Sequence, residues 1–412
     1  MIEHVRVAII GGGPSGLTAA AALAGRVGGE VRVFEREVEA GGIPRHSDHP
    51  GYGIRDLKRF ISGPDYARRL VRSAVDAGAV VETGTMVTGW SGPRRFEITS
   101  RRGRREIEAD AVVLATGARE RPRPARRIPG DRPDGVLTTG QLQNLVHLHH
   151  RGVGSRAVVV GAELVSWSAV LTLREAGCEP VLMTTEHPKS ESYAAFRLAG
   201  RLGLRVPVAT RTRLVSIAGR GRVESVTLED IDTGRRRVVA CDTVVTTGDW
   251  IPDNELARAA GLRMDRATRG PEVDMSLATS QEGVFAIGNL VHPVDTADVA
   301  ALDGRHVVEA VLRSLTGDGT PATGPRLQID APLRWISPQR LDLGHAPSRG
   351  KLLLWSDELV RFPVVVAEQG GREIGRVRPP WPCAPGRVFR VPFRLLAKAD
   401  PAAGDVTVRL AR

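Results

Sequence analysis

Three glycines near the start of the chain have the spacing of a turn that binds phosphate. Gly11, Gly13 and Gly16 follow the apolar run Val5–Ile10 and precede an alanine-rich segment typical of a helix. In a βαβ unit, the first glycine allows a tight turn, the second lets the backbone approach a pyrophosphate, and the third lets helix and strand pack closely. The alternative is an ordinary glycine-rich turn without a ligand, because this spacing alone is a weak signal.

The elements around these glycines complete a dinucleotide-binding pattern. A second apolar run, Val31–Phe34, ends on Glu35, where a carboxylate can accept both hydroxyl hydrogens of a ribose. The helix between the two runs begins near Pro14 and Ser15. Its N-terminus offers free N–H groups and the positive end of a dipole to phosphates. The sequence therefore predicts a nucleotide site at this turn.

The same order of elements occurs twice in the chain. In each copy, a predicted βαβ unit is followed by a hairpin and then by a separate strand that ends in Thr-Gly. The first hairpin is predicted over Arg95–Ser100 and Arg105–Ala109, and the second over Val223–Asp230 and Arg237–Cys241. Short arginine runs stand at both tips, where they are typical of solvated turns. The repeat predicts two dinucleotide-binding-type domains.

The second copy departs from the phosphate-binding pattern. Gly161 keeps the place of the first glycine, but Glu163 stands where the second is expected, and Ser166 replaces the third. A carboxylate there blocks the approach of the backbone to a pyrophosphate and repels it. Glu186 stands where an acid favours NAD over NADP, because it repels a 2′-phosphate. Two alternatives follow: the domain binds NAD(P) in an altered pose, or it keeps the fold without the nucleotide.

Composition excludes several classes of protein. The 412 residues are 42% hydrophobic and 25% charged, which is typical of a globular chain with two or three domains. We expect no membrane span, no signal peptide and no disulfide framework, and therefore a cytoplasmic protein. The net charge is +11, but aromatic residues make up only 4% and do not interleave with the basic runs. Nucleic-acid binding is therefore not expected.

With these motifs, residues 1–320 resemble the two-domain flavoproteins of the pyridine-nucleotide–disulfide oxidoreductase superfamily. Three further motifs carry the resemblance: Ala115-Thr116-Gly117, Thr247–Pro252 and Thr279–Asn289. The resemblance implies an FAD site in the first domain. It also implies that a helix, predicted from Thr296 to Leu315, points its positive N-terminus at the flavin. The residues implied to bind FAD are Gly11, Gly13, Pro14, Ser15, Gly16, Glu35, Arg36, Gly42, Ile43, Ala115, Thr116, Gly117, Gly288, Asn289 and Thr296.

The resemblance and the composition together predict an α/β fold with three parts. Residues 1–125 and 262–320 are predicted to form an FAD-binding, Rossmann-like domain, and residues 126–261 an inserted NAD(P)-binding-like domain of the same type. From about residue 325, prolines increase and short β-like runs replace helical periodicity. Residues 325–412 are therefore predicted to form a C-terminal all-β module that resembles a β-sandwich.

The sequence departs from the superfamily pattern at two places. The usual Asp of the second FAD motif is Asn289, whose amide can still hydrogen-bond a ribityl hydroxyl. The redox CxxxxC pair expected after Gly41-Gly42 is absent, because Pro44 and His49 occupy the cysteine positions. The departures imply an enzyme that is not a disulfide reductase. The signature of flavin monooxygenases is also missing, so oxygenation is not expected.

The histidines after Gly41-Gly42 are candidates for catalysis. The resemblance places this loop near the flavin ring, so we hypothesise that His46 or His49 contacts the flavin or its substrate, with Asp48 as a partner. The alternative is a loop that only lines the ribityl chain of FAD. Residue type also allows a metal at His46, Asp48 and His49. Because the resemblance assigns the same loop to the flavin, no metal is expected.

Within the superfamily, the chain is most similar to the α-type subunits of heteromeric flavin dehydrogenases, which also lack the CxxxxC pair. This implies an FAD-dependent oxidoreductase that passes a hydride or electrons between NAD(P)H, or a small organic donor, and an acceptor. The alternative is an FAD-binding electron-transfer or assembly subunit with a non-functional NAD(P) site. The implied partners are a small-molecule substrate and a second flavoprotein or electron-acceptor subunit. No iron–sulfur cluster is expected from three cysteines.

Overall fold

A computed structural model of the chain describes residues 2–192, 203–293, 295–319, 323–342, 344, 347 and 349–411. The chain forms two compact units. Unit 1 contains Met1–Arg45, Gly51–Arg119 and Ile251–Arg412, and unit 2 contains His46–Pro50 and Glu120–Trp250. The domain boundaries expected from the sequence stay a prediction, and the two units are described one at a time.

The chain begins with a strand–turn–helix–strand unit followed by a meander. The strands are β1 (Ile2–Ile10), β2 (Val31–Phe34), β3 (Pro50–Tyr52), β4 (Ile61–Ser62), β5 (Val80–Glu82), β6 (Thr85–Gly92), β7 (Arg95–Ser100), β8 (Gly103–Leu114) and β9 (Ala118–Glu120). The helices are α1 (Pro14–Leu23), α2 (Gly63–Asp76) and a 3₁₀ turn over Ile43–His46.

The main sheet of unit 1 has the strand order β5-β2-β1-β8-β7-β6. Its centre is parallel, with Val7–Ile10 of β1 paired to β2 on one side and to Ala111–Leu114 of β8 on the other. The carboxyl half of β1 is buried, and an unbroken apolar run there is typical of a strand that is covered on both faces. The predicted βαβ unit is therefore confirmed.

Strand β8 differs from the prediction, which divided it between a hairpin and a separate strand. The structure has one strand of 12 residues from Gly103 to Leu114. Its first half pairs antiparallel with β7, and its second half pairs parallel with β1. No glycine or proline interrupts the chain between Arg104 and Leu114, so nothing in the sequence ends the strand there.

Unit 2 repeats the pattern with a parallel sheet and a separate meander. Its elements are α3 (Arg123–Arg126), β10 (Val136–Thr138), α4 (Thr139–Gln143), a π-helical turn over Asn144–Leu148, β11 (Arg156–Val160), α5 (Leu164–Glu175), β12 (Glu179–Thr184), β13 (Val208–Ala209), β14 (Thr212–Ala218), β15 (Ser225–Asp230), β16 (Arg236–Ala240) and β17 (Thr243–Thr246). Strand β18 (Trp250–Pro252) follows at the end of the unit. The parallel order is β10-β17-β11-β12-β13, and β14-β15-β16 are antiparallel. Here the third meander strand and the return strand are separate, as predicted.

The chain then returns to the sheet of unit 1. Its elements are α6 (Glu255–Ala259), β19 (Val284–Ala286), a 3₁₀ turn over Gly288–Leu290, α7 (Ala297–His306) and α8 (Val308–Leu315). Strand β19 pairs parallel with Val112–Leu114 of β8. The prediction of one helix from Thr296 to Leu315 is wrong, since two helices meet at Val307. The first packs against α1 and the second against β8, so the chain changes direction between the two surfaces.

Residues after 323 form two sheets, in agreement with the predicted C-terminal β module. Their strands are β20 (Leu327–Ile329), β21 (Leu333–Ser337), β22 (Lys351–Ser356), β23 (Val365–Gln369), β24 (Arg372–Val377), β25 (Phe389–Pro392) and β26 (Val406–Leu410). The sheets have the orders β20-β26-β23-β24 and β21-β22-β25, and their inner residues share one hydrophobic core. The run Leu359–Val366, predicted as a strand, becomes β23 only from Val365, after Pro363. Proline removes a ladder hydrogen bond.

Candidate functional site

The turn after β1 is closed on one side and open on the other. A Cβ on Gly11 would overlap the carbonyl oxygen of Ala115, and a Cβ on Gly16 would overlap that of Gly11. The N–H of Ala115 donates to the carbonyl of Ile10 at 2.8 Å, which holds the two strand ends together. At Gly13, by contrast, a Cβ would meet nothing within 4 Å. The backbone is therefore accessible at the glycine where a pyrophosphate would approach.

Glu35 is buried at the end of β2, with only 7% of its surface exposed. Its Oε2 accepts a hydrogen bond from the N–H of Gly12 and its Oε1 one from Glu37, both at 2.8 Å. Each carboxylate oxygen can accept a second hydrogen bond. The side chain is thus fixed beside the glycine turn and keeps the capacity to bind ribose hydroxyls.

The loop that contains Gly42 and Ile43 lies against the same turn. The N–H of Gly41 donates to the carbonyl of Gly12 at 2.8 Å. A Cβ on Gly42 would lie 3.0 Å from the Cα of Gly13. Ile43 is exposed. The structure therefore brings two of the predicted FAD residues next to the open glycine.

The Thr116-Gly117 segment is fastened by a residue that the sequence did not indicate, Asp253. Thr116 Oγ1 donates to the carbonyl of Asp253 at 2.7 Å, and the N–H of Asp253 donates to that of Gly117 at 2.9 Å. The Asp253 carboxylate also pairs with Arg36 at 3.1 Å. Arg36, a predicted FAD residue, is thus tied to the Thr-Gly segment.

The second FAD motif contributes a buried acceptor. A Cβ on Gly288 would lie 2.6 Å from Oγ of Ser15, so this motif packs on the first turn of α1. The Asn289 amide donates from Nδ2 to the carbonyl of Asp295 at 3.1 Å. Its Oδ1 is buried and has no hydrogen-bond donor among the described residues. A buried acceptor without a donor is costly, and a ribityl hydroxyl of FAD would satisfy it.

These features together fit FAD. The open glycine, the N-terminus of α1 beside Pro14, the buried Glu35 and the amide oxygen of Asn289 are the groups that a dinucleotide with a polyol chain requires. All 15 residues that the resemblance assigned to FAD lie within unit 1. The role of each individual residue stays a prediction.

A buried charge network holds the second FAD motif in place. The Asp303 carboxylate accepts from the N–H of Gly288 at 3.0 Å, from His292 Nε2 at 2.7 Å and from Arg349 Nε at 3.1 Å. Burial alone would raise the pKa of Asp303, but the charges of Arg349 and His292 hold it well below its usual range. Arg349 belongs to the C-terminal region, so this part of the chain is fastened directly to the motif.

The N-terminus of α7 carries an acid as well as the predicted Thr296. Thr296 has the extended backbone of an N-cap residue. Asp298, in the first turn, is buried and accepts a hydrogen bond from Thr296 Oγ1. It also accepts from the N–H of Arg55 at 3.0 Å and pairs with the Arg55 guanidinium at 3.3 Å. The helix end predicted to face the flavin is therefore neutralised by an ion pair that the sequence did not reveal.

The predicted catalytic segment His46–His49 clusters with unit 2. His46 is buried, His49 is half-buried and Asp48 is exposed. His49 Nδ1 donates to the carbonyl of Pro50 at 2.9 Å, and Ser47 Oγ lies 3.0 Å from His49 Nε2. Burial lowers the pKa of His49 below its usual value, so the imidazole is neutral at pH 7. A carbonyl at Nδ1 leaves Nε2 as the basic nitrogen.

The second glycine turn is filled by its own carboxylate. Glu163 Oε1 accepts from Thr247 Oγ1 at 2.9 Å. The carboxylate is so close that a Cβ on either Gly161 or Gly248 would overlap it. Ser166 Oγ lies 2.7 Å from Thr247 Oγ1 and completes the contact. The position that is open at Gly13 in the first copy is thus occupied in the second.

Two acids beside this turn differ from Glu35 of the first copy. Glu186, the predicted ribose ligand, is exposed. Glu191 is instead buried, with 9% of its side chain exposed, and burial together with the charge of Glu163 raises its pKa to about 7. Ser190 Oγ donates to the carbonyl of Ala162 at 2.6 Å, which places this segment against the turn.

The profile of the family described as "Pyridine nucleotide-disulphide oxidoreductase" matches residues 5–304. This range is nearly three quarters of the chain and includes both glycine turns. The chain belongs to the pyridine nucleotide-disulphide oxidoreductase family. Members of this family bind FAD and use NAD(P). The chain is therefore a flavin-dependent oxidoreductase, and the resemblance seen in the sequence is confirmed.

Two curated relatives belong to multicomponent systems. The ferredoxin–NAD(+) reductase of the benzene 1,2-dioxygenase system of Pseudomonas putida is 29% identical over 300 residues, covering 70% of this chain and 67% of that protein. One of the opine oxidase subunits of Rhizobium meliloti is 27% identical over 361 residues, covering 79% and 66%. The chain spans about two thirds of the length of these relatives.

A solved structure confirms the fold class. The thioredoxin reductase of T. acidophilum aligns with a TM-score of 0.63 and 22% identity, covering 77% of this chain and 99% of its own. At this identity the likeness establishes the shared fold. Within the described residues, no helix combines the length and the apolar character needed to cross a membrane.

Within this family fold, the sequence missed the residues that act through other residues. Asp253, Asp298 and Asp303 each hold a predicted segment but belong to no motif that we recognised. A partial signal existed for Asp303, because it lies in α7 next to Gly304, whose Cβ would overlap the backbone of Ser15. An acid beside a helix contact that requires glycine is one that must be buried and paired.

We predict that Gly13→Glu abolishes FAD retention, because it puts into the first turn the side chain that fills the second. The FAD content of the purified protein, measured from the ratio of flavin to protein absorbance, should fall at least about tenfold, since a desolvated carboxylate repels a pyrophosphate by several kcal/mol. Gly89→Ala is the control, because a Cβ at Gly89 meets nothing within 4 Å. Full FAD content in Gly13→Glu would refute the assignment of this turn.

We predict that Glu191 makes unfolding depend on pH. Its pKa of about 7 in the folded protein lies above the ordinary value of 4.5, so between these values the folded state keeps a proton that the unfolded state has released. Stability is therefore highest below pH 4.5 and falls as the pH rises to about 7, by up to ~3 kcal/mol. In denaturant titrations, Glu191→Gln should lose this decrease. Parallel pH profiles for both proteins would contradict the assignment.

Proposed function

We propose that the chain uses FAD to take two electrons from a small organic donor and passes them to a partner protein, and that its second dinucleotide-type site does not take NAD(P)H. Family membership supports the flavin chemistry. The choice of an organic donor over NAD(P)H rests on the second glycine turn. The choice of a partner protein rests on relatives that are named as subunits of larger systems.

The difference between the two glycine turns is the observation that carries the proposal. Gly13 is open, whereas Glu163 fills the corresponding place and hydrogen-bonds Thr247. The Arg126 guanidinium donates to the carbonyl of Thr247 at 3.0 Å, and the charge of Glu163 acts on it. The carboxylate is therefore held by neighbours inside the turn. An incoming pyrophosphate would have to displace it and accept its negative charge.

Disulfide reduction is not part of the proposed function. Pro44 and His49 stand at the positions of the redox cysteines. All three cysteines of the chain are buried, and burial raises the pKa of the Cys178 and Cys241 thiols to about 11 and that of Cys383 in the same direction. Thiol exchange requires an accessible thiolate, and these cysteines do not provide one.

The residues of unit 1 would bind and orient the cofactor, and FAD when bound supplies the redox chemistry. The N–H groups at the start of α1 and the backbone at Gly13 would bind the pyrophosphate. Glu35 would accept the ribose hydroxyls, and Oδ1 of Asn289 would accept from the ribityl chain. Asp303 would act indirectly, because it fixes the N–H of Gly288.

His49 is proposed as the base that receives a proton from the donor, with His46 and Asp48 beside it. The support is its neutral imidazole and the chain of donors that orients it. The Gln143 amide donates to Ser47 Oγ at 3.2 Å, and this oxygen faces His49 Nε2. The charge of Asp48 opposes the lowering of the His49 pKa. A neutral imidazole is a suitable proton acceptor at pH 7.

A second candidate is an electron-transfer or assembly subunit that binds FAD and turns over nothing alone. The observation in its favour is that relatives are named as single subunits, among them one of opine oxidase and the alpha subunit of the sarcosine oxidase of Corynebacterium. Turnover of a donor by the purified chain would exclude this candidate.

We predict that NADH and NADPH do not reduce the flavin of the wild-type protein, whereas amino acids, hydroxy acids or other organic donors from a panel do. Anaerobic titration followed by flavin absorbance makes the comparison. Glu163→Gly opens the second turn, so it should gain NADH binding by calorimetry. Glu163→Gln is the control, because it removes the charge but keeps the bulk.

Bleaching of the wild-type flavin within seconds by millimolar NADH would reject the closed second site. Equal NADH binding by Glu163→Gly and the wild type would reject the role of the Glu163 side chain.

We predict that His49→Ala lowers turnover with an active donor by roughly 10²-fold, the size expected for loss of a general base. The FAD content should not change. His150→Ala is the matched control, because His150 is exposed in the same unit. If His46→Ala and His49→Ala both keep full turnover, the catalytic role of this segment is wrong.

A further inference from the structure

Residues 54–72 of unit 1 form an exposed, positively charged surface, which we call the basic face. The stretch contains six basic residues and two acidic ones. Its exposed members lie on the loop before β4 and on the outer side of α2. They are Ile54, Arg55, Lys58, Arg59, Phe60, Arg68, Arg69 and Arg72.

Neither acid of this stretch cancels the charge of the basic face. Asp56 is buried and accepts a hydrogen bond from the Tyr66 hydroxyl at 2.5 Å. Burial raises the pKa of Asp56, which lowers its capacity to carry a charge. Asp65 is exposed but pairs with Arg68 at 2.5 Å.

Four cations of the basic face are unpaired. Within the part of the chain that the structure describes, Lys58, Arg59, Arg69 and Arg72 have no carboxylate within 4 Å. The Lys58 ammonium instead donates to the carbonyl of Arg55 at 2.8 Å. Several unpaired cations on one surface create a positive potential that attracts an acidic partner and speeds its association.

Two large apolar side chains stand among these cations. Phe60 is 69% exposed and Ile54 is 47% exposed. Exposed aromatic residues next to arginines are the composition that distinguishes the centres of protein–protein interfaces from ordinary surface. Their exposure costs free energy in the isolated chain and would be compensated by a covering partner.

The basic face is fixed to the segment that the flavin assignment identifies. The N–H of Arg55 donates to Asp298 at 3.0 Å, and its guanidinium lies 3.3 Å from Thr296 Oγ1. Arg305 of α7 donates to the carbonyl of Asp56 at 3.2 Å. The loop is therefore held on the first and last turns of α7. A protein that covers the basic face would reach the helix end predicted to face the isoalloxazine.

We propose that the basic face is the docking site of an acidic one-electron carrier protein that collects electrons from the flavin. This inference rests on the proposed function and adds the partner class and its binding surface. A carrier fits better than a lipid surface, because only two apolar side chains project, whereas interfacial membrane binding uses a wide apolar face. Charge complementarity also gives fast association and release, which repeated electron transfer requires.

The electron balance of the step is simple. One two-electron-reduced flavin returns to its oxidised state when two carrier molecules each accept one electron, for example into a [2Fe–2S] cluster. One proton leaves to solvent. The carriers are the oxidant, and the donor of the proposed function supplies the electrons.

The test does not depend on the identity of the donor. The purified holoprotein is reduced anaerobically with light and EDTA, then mixed in a stopped-flow instrument with an oxidised, acidic plant-type [2Fe–2S] ferredoxin. The variant Lys58→Glu/Arg59→Glu reverses two charges of the basic face. The matched control is Arg101→Glu/Arg102→Glu, which makes the same change at the exposed tip between β7 and β8 of the same unit.

We expect the basic-face variant to slow ferredoxin reduction about tenfold or more at low salt, and to weaken its dependence on ionic strength. The control should keep the wild-type rate. Phe60→Ser should also slow the reaction, with the salt dependence retained. Reoxidation by a neutral quinone should be equal in all proteins, which shows that the flavin itself is unaffected.

Equal ferredoxin rates in the basic-face variant and the control would overturn the proposal, as would no reduction of ferredoxin by the wild type. Binding of the wild type, but not of Lys58→Glu/Arg59→Glu, to phosphatidylcholine vesicles with phosphatidylglycerol, without electron transfer to ferredoxin, would assign the face to a membrane instead. Failure of the proposed function is distinguishable, because it gives a flavin that no organic donor reduces while the ferredoxin step still proceeds.

Discussion

At the end of β1, the backbone of Gly11 lies against that of Ala115 with no room for a side chain on either Gly11 or Gly16. This steric constraint fixes where α1 begins, because the helix must start within the turn. It also fixes the ends of β1 and β8 side by side, with the Ala115 N–H on the carbonyl of Ile10. The open position at Gly13 exists because its two neighbouring glycines close the remainder of the turn.

A second constraint is the buried carboxylate of Asp303. It holds the N–H of Gly288, so the second motif stays against the first turn of α1. Because Arg349 compensates its charge, the region after residue 323 is part of the same structure and not an independent appendage. Removal of one partner from such a buried pair destabilises a protein strongly, since the other charge is left without compensation.

The two copies of the glycine turn show that the fold and the nucleotide site are separable. In unit 2, the parallel strands β11 and β17 pair as β1 and β8 do in unit 1. The turn between strand and helix is nevertheless filled by Glu163, which hydrogen-bonds Thr247 in place of a ligand. Strand pairing and helix packing therefore maintain the fold, while one side chain decides whether the turn is accessible.

The sequence by itself determined the order of elements, the glycine turn with Glu35, and the degraded second turn at Glu163. These depend on local patterns, since a parallel strand reads as an apolar run and a close approach requires glycine. It failed where the outcome depended on pairing partners: β8 is continuous because its halves pair with different neighbours, and the helix predicted from Thr296 divides at Val307 because its halves pack on different surfaces. Only the tertiary structure decided the roles of Asp253, Asp298 and Asp303 and placed the cations of the basic face beside α7. Contacts between residues hundreds of positions apart leave no periodic trace in the chain.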